Sequence, residues 1–130
     1  RAFCRRILVK ILIASFLFLH AIAQLVGFVV PWKLAVLPDA PYKTTLFNDR
    51  LDLGHTGIRM VGLLWLLGFL SFAAVAVLFY LGHGLWMKLA AGTAIFSLLL
   101  SVTALPEAKV GIPVNIAILA GLTARYMGWF

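Results

Sequence analysis

The chain has 130 residues, of which 64% are hydrophobic and only 12% are charged, and its formal net charge is +7. This composition excludes an ordinary water-soluble domain, which is about half apolar and a quarter charged. The basic residues are scattered and form no face interleaved with stacking aromatics, so the expected counterion is anionic lipid and not nucleic acid. Cys4 is the single cysteine, which excludes an intramolecular disulfide and paired-cysteine redox chemistry.

The first predicted helix covers residues 7–30 and stops at Pro31. Arg5 and Arg6 precede it, and Ala21-Ile22-Ala23 resembles a signal-peptidase site. The apolar stretch nevertheless continues beyond that tripeptide, which makes it long enough to cross a hydrocarbon core of about 30 Å. We therefore expect a retained transmembrane helix and not a cleaved signal peptide.

Three further spans are predicted after a long polar connection at residues 31–57. They cover residues 58–80, 85–105 and 112–130. Their apolar runs are continuous and not alternating, which favours helices over barrel strands. Short connections between the last three helices predict antiparallel neighbours.

The predicted fold is therefore all-α, with one polytopic membrane domain over residues 1–130 that forms a four-transmembrane-helix bundle. An even number of spans places both termini on the same side. The basic residues that precede the first span predict that this side is the cytoplasm.

Small residues are predicted to form the contact between the last two helices. They are Thr93, Ser97 and Ser101 on the third helix, with Gly121 and Ala124 on the fourth. Helices in lipid associate through close packing of small residues and through interhelical hydrogen bonds. A substrate path along the hydroxyl-bearing stripe is the alternative interpretation.

Polar residues within a span are candidates for function because hydrocarbon penalises them unless they are paired or hydrated. His20 lies deepest in the first helix, and Gln24 follows one turn later on the same face. The two side chains either fix the register of neighbouring helices through hydrogen bonds or take part in binding a ligand or a proton.

Each of the four helices supplies one polar group near the outer face. The four groups are Gln24, Arg59, Glu107 and Asn115. We expect Asp52, His55 and Glu107 to pair with Arg59 and Lys109 in one network. Such a network is either structural or a shallow pocket for a polar headgroup.

No pattern indicates enzymatic chemistry, a metal or a cofactor. His20 is predicted mid-span while His55 and His83 fall at opposite surfaces, so paired haem ligation is not expected. All four acids lie in loops or at span edges, unlike the deep carboxylate of the small multidrug resistance family. Metal-ligand spacing, a nucleophile elbow and a phosphate-binding glycine loop are also missing from the sequence.

Two stretches resemble a pattern found in small four-helix bacterial membrane proteins that are loosely DoxX-like. Residues 57–67 read GIRMVGLLWLL and residues 105–115 read LPEAKVGIPVN. The group pairs G-x-R-x-x-G-L-L-W in its second helix with P-[DE]-[AT]-x-x-G before its fourth. The resemblance implies a bacterial inner-membrane location and carries over Arg59 and Glu107. Some members of the group are described as subunits associated with quinone-linked oxidoreductases.

Three hypotheses for function follow from these features. The first is a non-enzymatic accessory or structural subunit of a larger membrane complex, whose partners are other membrane subunits or further copies of this chain. The second is a lipid- or quinone-binding protein with an outer-leaflet polar pocket. The third is a small oligomeric channel or transporter. Membrane lipids are expected partners in all three.

Overall fold

The computed structural model describes residues 1–129 and is all-helical apart from one short hairpin, as the sequence predicts. Its helices are α1 (Ala2–Gln24), α2 (Val26–Val29), α3 (Gly54–Leu81), α4 (Trp86–Thr103) and α5 (Gly111–Tyr126), and its hairpin pairs β1 (Thr45–Leu46) antiparallel with β2 (Leu51–Asp52). Phe130, the last residue of the predicted fourth span, lies outside the described residues.

Three helical segments are long and apolar enough to cross a membrane. They are Ala2–Val29 with 28 residues, Gly54–Leu81 with 28 and Trp86–Thr103 with 18. The first combines α1 and α2, because Leu25 between them keeps a right-handed helical backbone at φ −63° and ψ −24°. Helix α5 is shorter, with 16 residues. Helices that could span a membrane are therefore present at the first three predicted positions.

Helix α3 begins four residues before the predicted start because a side chain caps it. The carboxylate of Asp52 accepts the N–H of Gly54 at 3.0 Å and the hydroxyl of Thr44 at 2.8 Å. The first N–H groups of a helix have no partner within the helix, so this carboxylate satisfies one of them. The first turn is polar, and hydropathy alone therefore places the start of the helix too late.

Acid is expected to open this cap. The hydrogen bonds from Gly54 and Thr44 hold the pKa of Asp52 below its ordinary value of about 3.9. A carboxyl group with a lowered pKa stabilises the fold fully above that ordinary value, and the contribution is lost as the pH falls through the folded-state pKa. Amide exchange at Gly54 should therefore accelerate below about pH 4, beyond the intrinsic chemical rate. The variant Asp52→Asn should lack this step, and a step of equal size in the variant would contradict the assignment.

The helices pack in chain order, with α1 and α2 against α3, α3 against α4, and α4 against α5. Each of the four long helices contributes to one apolar core. Its buried members are Leu17, Ala21, Phe72, Val75, Ala76, Ala90, Ala94 and Ile118. This core fills the centre of the bundle, and the two ends of the bundle carry different charged residues.

One end of the bundle, called the basic end below, is formed by the start of α1, the end of α3, the start of α4 and the end of α5. The ammonium of Lys10 lies 5.5 Å from the ring centre of Tyr80, and the guanidinium of Arg125 lies 5.9 Å from that of Trp86. These contacts bring the four helix termini together. The cations at this end are Arg1, Arg5, Arg6, Lys10, Lys88 and Arg125. The four acids are all in loop 31–57 or segment 104–110 at the opposite end.

Candidate functional site

A chain of hydrogen bonds between buried side chains lies next to the apolar core and joins α1, α4 and α5. Nε2 of His20 lies 3.0 Å from Oδ1 of Asn115, whose Nδ2 donates to Oγ of Ser97 at 3.0 Å. The Ser97 hydroxyl donates to Oε1 of Gln24 at 2.9 Å, and Nε2 of Gln24 reaches the backbone oxygen of His20 at 3.5 Å. The chain of hydrogen bonds thus returns to His20, and these four residues are called the buried network below.

The network has one direction throughout. The Asn115 amide is assigned with its nitrogen donating to Ser97 and its oxygen facing His20, and in this arrangement Nε2 of His20 carries the hydrogen. The amide of Asn115 joins Ser97 of α4 to the histidine of α1, and Asn115 is 0% exposed. In lipid, such interhelical hydrogen bonds hold helices in register.

Helix α3 makes room for this network and supports it. Phe72 meets the ring of His20 edge-on, with ring centres 4.7 Å apart. A Cβ atom at Gly68 would lie 3.3 Å from Oε1 of Gln24, so glycine at this position lets the amide pack directly on the backbone of α3. All four long helices therefore meet at this level of the bundle.

A cavity of about 300 Å³ lies on the side of the network away from the basic end. His20 and Gln24 of the network border it. The other lining residues are Ala23, Val26, Gly27, Val30, Pro31, Ala40, Pro41, Lys43, Thr45, Leu46, Ile58, Val61, Trp65, Ser101, Ala104, Glu107, Ala108, Val110, Gly111 and Val114. Most of these side chains are apolar, and the polar ones are concentrated at the two ends. Ligand sites for small molecules have this composition.

An ion pair crosses the outer rim of the cavity. Nζ of Lys43 lies 2.9 Å from Oε1 of Glu107, and the two side chains are 28% and 24% exposed. The backbone N–H of Phe47 also donates to the carbonyl of Thr103 at 2.8 Å. Loop 31–57 is thereby attached to the end of α4 and covers the outer side of the cavity.

A double-mutant cycle should detect the ion pair of Lys43 and Glu107. Because both side chains keep some contact with solvent, we expect a coupling energy of about 0.2–1 kcal/mol that falls as salt is raised. The free energy of unfolding of Lys43→Ala, Glu107→Ala and the double variant gives this value. Lys109→Ala is the matched control and should show no coupling with Glu107→Ala. Equal coupling for the two lysines would contradict the geometry.

The predicted outer network is not assembled as expected. Glu107 pairs with Lys43 and not with Arg59 or Lys109, because loop 31–57 folds back over the segment that follows α4. Arg59 instead lies with its guanidinium carbon 5.4 Å from the ring centre of Trp32, whose indole N–H donates to the carbonyl of Arg59 at 3.0 Å. This stacking places Arg59 outside the cavity lining.

Two other residues of that predicted network are engaged locally. Asp52 caps α3, and His55 shares a hydrogen bond between its Nδ1 and the hydroxyl of Tyr42. Lys109 is exposed. Three of the five predicted ligand-binding residues, His20, Gln24 and Glu107, border the cavity, while Asn115 supports His20 from behind.

The packing stripe predicted on α4 is buried, but its predicted partner surface on α5 is not. Thr93, Ser97 and Ser101 are all buried. Gly121 is exposed, with no atom within 4 Å of where a Cβ would stand, and Ala124 is half-buried. Helix α5 instead buries Asn115 and Ile118. Because the face of α5 that carries Asn115 turns toward the network, the face that carries Gly121 and Ala124 turns away from α4.

Among the lining residues that escaped prediction from the sequence are Lys43 and Trp65. Lys43 lies in a loop whose path depends on the whole fold, so no local signal identifies it. Trp65 resembles any apolar residue of a span, although it packs directly on Gly27 of α2. A glycine on one helix and a tryptophan at matching depth on another helix would be the sequence signal for this contact.

Comparison with protein families, with curated protein sequences and with solved structures finds no match to this chain. The resemblance to DoxX-like proteins therefore stays a prediction.

Proposed function

We propose that this chain is a four-helix membrane protein that binds an amphiphilic small molecule, of lipid or quinone type, in the cavity beside the buried network. The observation that carries the proposal is the cavity itself. It has apolar walls, a polar inner end at His20 and Gln24, and a charged outer rim at Lys43 and Glu107. An apolar chain with a polar head is the class of ligand that matches such a lining.

The order of layers supports four spans with antiparallel neighbours. On α1, core, network and cavity begin in order of increasing residue number, and on α5 they follow in decreasing order. On α3 the core residues also have higher numbers than the cavity residues. Helix α4 runs in the same sense as α1, from Ala90 through Ser97 to Ser101. Helix α5 has 16 residues and so a length of about 24 Å, which covers most of a hydrocarbon core of about 30 Å.

Charge supports an orientation in which the basic end faces the cytoplasm of a bacterial cell. Six cations and none of the four acids are at that end, whereas five cations and all the acids are at the other. Four of the six, Arg1, Arg5, Arg6 and Lys10, lie at the start of the first span, and the positive-inside rule usually gives the first span the greatest weight. The cavity then lies in the outer leaflet, and both termini lie inside.

The single cysteine allows the orientation to be tested. Cys4 is exposed at the basic end. A membrane-impermeant maleimide should label it in inverted vesicles and not in intact spheroplasts. The variant Cys4→Ser with Asp49→Cys in the outer loop should give the opposite pattern. Labelling of Cys4 from outside would overturn the orientation.

Filling the cavity should abolish binding. Ala104 borders the cavity, whereas Ala120 is exposed on α5. We expect native mass spectra of the protein in mild detergent to show a one-to-one amphiphile adduct for the wild type and for the control Ala120→Phe. The adduct should be lost in Ala104→Phe. Equal adducts on all three proteins would overturn the proposed function.

An accessory subunit is the second candidate, and a groove between α1 and α3 favours it. The groove holds about 490 Å³ and is lined by Ala14, Ser15, Phe18, Leu19, Ala76, Val77, Tyr80 and Leu81. Its small residues at Ala14, Ser15 and Ala76 are of the kind that lets a further helix approach closely. Subunit stoichiometry from native mass spectrometry tests this role, and a strictly monomeric protein in mild detergent would count against it. A channel through one chain has less support, because the network and the apolar core lie between the cavity and the basic end.

A further inference from the structure

We infer that the cavity selects an uncharged amphiphile whose head is a hydroxyl group, and that this hydroxyl donates to Nδ1 of His20 beside Ser101. The inference rests on the proposed function and specifies its ligand class. An alcohol or a phenol fits the description, whereas a carboxylate, a phosphate or an ether does not.

The first step concerns His20. The direction of the network requires a hydrogen on Nε2, so in the neutral ring Nδ1 is an acceptor. Among residues 1–129, Nδ1 has no hydrogen-bond partner, and every fully buried side-chain nitrogen or oxygen has one. Nδ1 is therefore not sealed, and His20 borders the cavity. His20 thus borders the cavity and carries an acceptor without a donor.

The second step concerns Ser101. This residue is only 1% exposed, it borders the cavity, and its hydroxyl has no hydrogen-bond partner within the described part of the chain. Every fully buried side-chain oxygen in the described residues has a hydrogen-bond partner. The unpaired Oγ of Ser101 is therefore not fully buried and accounts for part of the small exposed area of this residue. A Cβ atom at Gly111 would lie 2.7 Å from this oxygen, so glycine there keeps the hydroxyl accessible. Ser101 thus offers a donor to a ligand hydroxyl in the same cavity that His20 borders.

The third step concerns charge. The inner end of the cavity presents imidazole, amide and hydroxyl groups, and the cation at the rim is already paired with Glu107. An anionic head at the inner end would lose its hydration without gaining a counterion, which is far more costly than the burial of a hydroxyl. An uncharged head is therefore favoured.

The fourth step concerns size. At about 300 Å³, the cavity lies at the lower end of the roughly 300–1,000 Å³ that ligand pockets occupy. This is enough for a head and the first part of a chain. Two lining residues, Val26 and Val110, are 39% and 67% exposed, so the lining continues to the outer surface between α2 and α5. The rest of an apolar tail would leave there into lipid.

Quenching of Trp65, whose ring borders the cavity, tests the inference in the full chain reconstituted in nanodiscs. The probes are 3,4-dibromodecan-1-ol, its methyl ether and 3,4-dibromodecanoate at pH 8, compared at equal mole fractions in the bilayer. The variant Trp65→Phe supplies the background from the other tryptophans. We expect saturable quenching by the alcohol and roughly tenfold weaker binding of the ether and the carboxylate. Ser101→Ala should weaken binding of the alcohol by roughly threefold to tenfold.

The outcomes separate the two proposals. If none of the probes quenches Trp65 saturably, the proposed function itself is overturned. If the ether or the carboxylate binds the wild type as tightly as the alcohol, amphiphile binding stands and the hydroxyl selectivity is overturned. The comparison of probes on the wild type does not depend on how well any variant folds.

Discussion

Replacing Asn115 with leucine is expected to lower the free energy of unfolding by about 2 kcal/mol or more. Leucine has a similar volume but leaves the Nε2–H of His20 without its partner and removes the donor to the Ser97 oxygen, whose hydroxyl still donates to Gln24. A buried polar group left without a partner costs about 1–3 kcal/mol, and interhelical hydrogen bonds within membranes average about 0.6 kcal/mol. The variant therefore orphans one buried donor and loses a second hydrogen bond. Unfolding in mixed micelles with a denaturing detergent measures the change.

Thr123→Ala is the matched control for this prediction. Thr123 lies on the same helix and is exposed, and its hydroxyl donates to the backbone of Leu119 one turn earlier. Its removal should change the free energy of unfolding by less than about 0.5 kcal/mol. The double variant His20→Leu with Asn115→Leu should lose less than the sum of the single variants, because both remove the same hydrogen bond. Additive losses would show that the two side chains act independently.

Gly27→Ala is expected to be the most disruptive single methyl addition in the chain. A Cβ at this position would lie 2.2 Å from Cγ of Trp65, so the indole or α2 must move. Overpacking of this kind typically costs about 1–3 kcal/mol, and here the displaced ring also borders the cavity. We therefore expect both a lower free energy of unfolding and a loss of amphiphile binding.

Gly92→Ala provides the control, since no atom lies within 4 Å of its added Cβ and it is exposed within α4. This substitution should be neutral or stabilising by up to about 1 kcal/mol, because alanine favours a helix more than glycine does. Gly27→Ala combined with Trp65→Leu should recover stability, since the smaller side chain removes the overlap. If the double variant is less stable than Gly27→Ala alone, the steric explanation is wrong.

Hydropathy was sufficient to predict where the helices lie, because a span must be continuously apolar and must satisfy its own backbone in lipid. Hydropathy also predicts approximately where the helices end. Helix α3 ends at Gly82, which has a left-handed φ of 74° and closes the helix with the N–H of His83 bonded to the carbonyl of Leu78 at 2.9 Å. The start of α3 was placed too late, since a cap formed by Asp52 has no apolar signature.

The site could be predicted only in part. The shared face of His20 and Gln24 was evident from helical spacing, and so was the stripe that contains Ser97. The hydrogen-bond partner of each side chain is not evident from the sequence, because it depends on how each helix is rotated about its own axis. The same limit explains Arg59, whose pairing with Glu107 was expected from depth alone, whereas its guanidinium lies over the ring of Trp32.

Photoaffinity mapping tests the central claim most directly, namely that an amphiphile occupies the cavity beside the buried network. A decanol with a diazirine close to its hydroxyl would be activated on the full chain in nanodiscs, and the modified residues identified by mass spectrometry. We expect labels on residues that line the cavity, such as Trp65, Ala104 and Val114, and their loss in Ala104→Phe. Labels confined to outward residues such as Leu70 and Leu99, and unchanged in that variant, would contradict the account.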